Sequence, residues 1–90
     1  MDSEKLLHSF ERIIIYLAVV SPLANIPQLL RIWVGKNASG VSALSWTLFA
    51  LLSLIWLAYG ILKKDRPIAV MFLLLVILQS SIALGAFIYQ

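Results

Sequence analysis

Ser21, Asn25 and Gln28 recur at i, i+4 and i+7 inside an apolar stretch, so a helix there stacks one hydroxyl and two amides on a single face. Lipid offers such groups no partner, and they mark a face turned to a bundle interior or to a water-filled cavity. Serine, asparagine and glutamine also hold membrane helices together, and that role stays open for each of them. The same stretch carries Pro22 and Pro27. A proline has no amide hydrogen, so within a continuous helix Pro22 leaves the carbonyl of Ala18 unpaired and Pro27 that of Leu23. Freed backbone groups at membrane depth are tolerated where protein buries them or where they line a cavity, and they give the helix a place to bend.

Two further apolar stretches follow. In the second, Phe49, Ser53, Trp56 and Gly60 share a face at i, i+4, i+7 and i+11. Trp56 lies about six residues before Leu62, roughly 9 Å along a helix axis, so it can anchor at the membrane interface. In an aqueous pocket it can instead stack on the apolar face of a sugar while its indole N–H donates to a hydroxyl. Trp33 and Trp46 flank the first connection as interfacial anchors. In the third stretch Phe72, Val76, Gln79 and Ala83 share a face, and Gln79, Ser80 and Ser81 point polar groups to several sides.

Neither the second nor the third stretch contains Asp, Glu, Lys or Arg, so the carboxylate relay of a proton-coupled pump is missing and facilitated diffusion is favoured. Asp2, Glu4, Glu11 and Asp65 all lie in charged flanks, and no catalytic constellation can be assembled from them. His8 is alone, so no metal site is expected. Cysteine is absent, and the net charge of +3 is spread over helix ends rather than gathered into a patch for nucleic acid. No cofactor is expected.

The elements that must position these groups are membrane helices. Hydrophobic residues make up 62% and charged residues 12% of the chain, against about 45–50% and 25% in soluble domains. Runs near the ~20 residues needed to cross a bilayer fall at 13–33, 44–62 and 68–89. The expected fold is an all-α integral membrane protein: a charged lead-in over 1–12, then one three-helix transmembrane domain over 13–90, with the termini on opposite sides. The first apolar run is too long and too proline-broken for a cleavable signal peptide. The connection Val34 to Ala43 reads as polar and exposed, with Ser42 or Ser45 capping the helix beyond it. The link Lys63 to Pro67 is so short that the last two helices must be neighbours. Lys5, Arg12, Lys63, Lys64 and Arg66 on one side against Arg31 and Lys36 on the other place the N-terminus in the cytoplasm by charge alone.

Asn25-Ile26-Pro27-Gln28 followed by Arg31 resembles the proline-glutamine motif of the PQ-loop (MtN3/saliva-like) proteins. Trp56-Leu57-Ala58-Tyr59-Gly60-Ile61-Leu62-Lys63-Lys64-Asp65 is similar to the W-x-x-Y-G-x-x-[RK]-x-D stretch of bacterial SemiSWEETs, the half-size sugar transporters. The likeness runs from about residue 13 to the end. It implies a parallel homodimer of two three-helix bundles, six helices in all, in the bacterial inner membrane, alternating between two openings around a path for mono- or disaccharides. Three packed helices leave no lumen of their own, which independently calls for a second copy. Carried over, Pro27 and Gln28, with Pro22, form the hinge of the first helix. Trp56 contacts the sugar, and Tyr59, Lys63 and Asp65 close an outer gate. The family's third-helix asparagine is replaced by Phe72, which can stack on a sugar but not hydrogen-bond to it, so either the substrate is altered or Asn25, Ser53 or Gln79 supplies the missing polar contact. The resemblance puts the N-terminus outside, against the charge count, and takes precedence. Rival readings are a non-transporting membrane adaptor and a PQ-loop transporter of an amino acid.

Overall fold

The computed structural model describes residues 2–90, and among them the chain forms α1 (Ser3–Leu23), α2 (Ile26–Trp33), α3 (Ala43–Leu62) and α4 (Arg66–Tyr89). α1 and α2 together make the first membrane span, Ser3–Trp33, and α3 and α4 make the second and third. The charged lead-in is itself helical: Asp2 caps α1 by accepting the N–H of Glu4 at 3.1 Å, and the helix runs on without interruption into the apolar run.

Each end is set by local chemistry. Ser42 opens α3 by accepting the N–H of Ser45 at 3.1 Å, and Asp65 opens α4 by accepting that of Ile68 at 3.2 Å. α3 closes with the N–H of Asp65 on the Gly60 carbonyl (2.9 Å) and that of Lys64 on the Ile61 carbonyl (3.1 Å), a Schellman pattern with Lys64 in the left-handed region at φ 56°. Asp65 thus ends one helix with its backbone and starts the next with its side chain. Gly60 permits the tight corner, because a Cβ there would stand 2.8 Å from Ile68 Cγ2 and 2.9 Å from the amide nitrogen of Ala69.

α4 lies in the middle, packed against α3 on one side and against α1 and α2 on the other. The Cα envelope is 52 × 24 × 16 Å, and 24 Å is the width of three helices side by side at about 8–10 Å spacing. The described residues form a row of three helical spans with α4 between α3 and the first span.

One end of that row is closed tightly. Ile32, Ala38, Val41, Ala43, Ile82 and Ala86 form the buried core, with Leu29, Trp33, Trp46 and Tyr89 packed around it. The connection between α2 and α3 therefore departs from the expected exposed loop: Ala38 and Val41 are buried. The polar residues of the loop satisfy its backbone and let the apolar ones turn inward. Asn37 Oδ1 accepts both the N–H and the hydroxyl of Ser39, the Arg31 guanidinium donates to the Ser39 carbonyl, and Gln90 donates to the Val41 carbonyl at 3.2 Å. Trp33 clips α2 to α4 by donating its indole N–H to the Ser81 carbonyl at 3.0 Å, and it meets Tyr89 edge to face at 5.8 Å.

Candidate functional site

The first span breaks at Ala24 and Asn25. Ala24 and Asn25 donate their N–H groups to the carbonyls of Ser21 (3.1 Å) and Pro22 (3.0 Å), tighter turns than an α-helix makes, before α2 resumes with Pro27 in its first turn. The side-chain amide of Asn25 also donates to the Pro22 carbonyl, at 3.2 Å. The proline-glutamine pair thus sits just past a discrete joint, and Asn25 holds that joint in its present bend. Pro22 is fully buried at the end of α1, whereas Gln28 is half-buried on α2.

The second group of residues lies on the other side of the row. The ring of Trp56 stacks on that of Phe72 with centroids 5.6 Å apart and planes 15° from parallel, joining α3 to α4. Tyr59 meets the same indole edge-on at 5.7 Å and 81°. Trp56 and Tyr59 remain 49% and 46% exposed, and with Ile55 they line an open depression of about 350 Å³. Helix geometry accounts for the grouping. Trp56 and Tyr59 are three apart on α3, and the reverse turn through Lys63–Asp65 brings Phe72 alongside them.

Ser53 is placed differently from Trp56. Its hydroxyl is buried in the seam between α3 and α4, where it donates to Gln79 Oε1 at 2.6 Å. Polar residues on two facing helices have found each other, as uncharged polar side chains commonly do between membrane helices. Ser53→Ala is expected to leave the Gln79 amide oxygen unpaired and to destabilise the protein by about 1 kcal/mol, read as a lower thermal midpoint in detergent; an unchanged midpoint would show the bond to be dispensable.

Of the gate candidates, Tyr59 faces the depression, Lys63 is exposed at the end of α3, and Asp65 spends one carboxylate oxygen on capping α4. Trp56, Tyr59 and Phe72 are brought together within one chain. Asn25 and Gln28 belong to the first span, which packs on α4 and not on α3. What sequence reasoning missed is the covered face of the indole: spacing placed Phe72 on a polar-bearing face of α4, and only the turn geometry shows that it lies flat against Trp56.

Residues 8–89 match the family of sugar efflux transporters for intercellular exchange. A relative from Vibrio sp. (strain N418), a sugar transporter SemiSWEET, is 33% identical over 67 residues, covering 72% of this chain and 69% of its own length. The chain belongs to this family of sugar transporters. It is a multi-pass membrane protein, since three of its helical stretches are long and apolar enough to cross a bilayer. The likeness carried by the proline-glutamine motif and by Trp56–Asp65 falls wholly inside the matched region.

Proposed function

We propose that the protein is a facilitative uniporter of mono- or disaccharides in a bacterial inner membrane, working as a parallel homodimer by alternating access, with no cofactor and no covalent step. The observation that carries this reading is the half-exposed indole of Trp56, held against Phe72 beside an open depression on the second membrane-spanning helix. Such a face suits the C–H side of a sugar ring, and the indole N–H suits one of its hydroxyls. A flat row of three helices has no interior path, which supports the dimer: two rows facing each other create one between them.

Within that dimer the joint at Ala24–Asn25, with Pro27 and Gln28 beyond it, is the hinge. Tyr59, Lys63 and the free oxygen of Asp65 form a gate at the end that carries the N-terminus, which faces outward. Ion pairs between protomers there are worth about 0–1 kcal/mol each, weak enough to open thermally. The absence of charge in the second and third spans supports uniport and an uncharged cargo.

Purified protein in liposomes is expected to admit a labelled mono- or disaccharide at millimolar concentration. Uptake no faster than in empty vesicles across a panel of sugars would refute the reading. Pro27→Ala is expected to add a backbone donor beside the joint, within reach of the Leu23 carbonyl once the helix runs straight through, and to slow exchange between the two openings by up to about tenfold, since one such bond is worth about 0.5–1.5 kcal/mol. The check is the rate of counterflow across the liposome membrane, and an unchanged rate would remove Pro27 from the hinge.

A further inference from the structure

We infer that Phe72 is a positioning residue for Trp56 rather than a second sugar contact, so that the site reads its substrate through the one free face of the indole. This rests on the proposed role of Trp56 as the sugar platform. Two faces of an indole are available for stacking, and Phe72 is stacked with an offset on one of them, nearly parallel with its centroid 5.6 Å away. Tyr59 presses on the ring from the side at 81°. Between them these rings restrict rotation of the indole about its side-chain bonds, while the indole still borders the open depression it shares with Ile55 and Tyr59. Phe72 is half-buried and is not among the residues that line that depression. A phenyl ring has no donor or acceptor. The position on α4 therefore gives the sugar no hydrogen bond and gives Trp56 a fixed orientation.

Recognition at this site then rests on the fit of a sugar's C–H face to a pre-set ring, and loss of that setting weakens binding without removing any group that touches the sugar. An aromatic pair's preference for its packed geometry corresponds to about three- to tenfold in an equilibrium constant, and that is the scale of the effect expected on sugar affinity.

The test combines a spectroscopic readout with affinity. Protein labelled with fluorotryptophan is observed by fluorine NMR in detergent, the Trp56 resonance being assigned from its loss in Trp56→Phe, with the resonances of Trp33 and Trp46 as internal controls. Phe72→Leu is expected to remove the ring-current shift of the Trp56 resonance and broaden it, leave those of Trp33 and Trp46 in place, and weaken sugar binding by about three- to tenfold. Phe72→Tyr is expected to keep both the shift and the affinity. Affinity lost in Phe72→Leu with the Trp56 resonance unmoved would make Phe72 a direct contact and overturn the inference. A moved resonance with unchanged affinity would overturn it as well. A wild-type Trp56 resonance indifferent to every sugar, in protein that still takes up sugar into liposomes, would instead move the sugar site away from Trp56; indifference together with absent uptake would sink the transport reading itself.

Discussion

Trp56→Ala is expected to reduce sugar uptake by about tenfold or more while the protein remains folded. The two effects separate because of where the ring sits. With 49% of its surface already exposed, the indole contributes little to the buried core, which gathers at the opposite end around Ile32 and Ile82. Its removal forfeits the stack on Phe72 and the edge contact with Tyr59, each worth about 0.5–1.5 kcal/mol, a loss a helix row can absorb. For the substrate the loss is larger in proportion, because both the stacking face and an N–H donor disappear; about 1.4 kcal/mol is already a factor of ten in affinity. Uptake into liposomes measures the first effect, and the thermal midpoint in detergent, with and without sugar, measures the second. Full uptake in Trp56→Ala would reduce the residue to an interfacial anchor, and a non-transporting scaffold would lose neither its fold nor its self-association.

The largest loss of stability is expected from Gly85→Val. A Cβ at this position would stand 2.5 Å from Ile32 Cγ2 and 2.9 Å from Trp33 Nε1, and valine adds two methyl groups beyond it. Ile32 is completely buried, so it has nowhere to move. α2 must lift away from α4, breaking the bond from Trp33 to the Ser81 carbonyl as it goes. Overpacking of about 1–3 kcal/mol and a lost interhelical bond of about 1 kcal/mol sum to about 2–4 kcal/mol. Thermal unfolding in detergent checks the figure, with Leu84→Val as the control on a side chain that is 55% exposed. Equal midpoints for the two variants would mean that the α2–α4 seam is not close-packed.

The helices and their neighbours were legible because their signals are local. Apolar runs of membrane-crossing length, Ser42 at the N-cap of α3, and the short link ending at Pro67 each act within a few residues. Three features were not legible, and each depends on a contact distant in sequence. The connection from Val34 to Ala43 looked exposed because its side chains are small and polar, yet Gln90 and Arg31 tie it down and Ala38 and Val41 turn inward. Ser53 shares a face with Trp56, and spacing alone could not show that its hydroxyl is bonded to Gln79 on a different helix. The central place of α4 follows from packing that no periodicity encodes, although the run of small residues near its end, Ala83, Gly85 and Ala86, signals close approach by another helix. At the site, residue types pointed to Trp56 and Phe72 together; the parallel stacking that gives the two rings different jobs belongs to tertiary geometry.

The position of the joint at Ala24–Asn25 sets the mechanical advantage of the protein. α2 is fastened to α4 by Trp33 and the core beneath it, so the arm of the proposed hinge is α1, a helix of 21 residues and about 31 Å that also rests on α4. Turning that lever by about 10° sweeps its far tip through about 5 Å, close to the rise of one helical turn. With the proposed hinge, adjustments of one or two backbone torsions beside Pro27 would be converted into an aperture change on the scale of a sugar ring as α1 slides over α4.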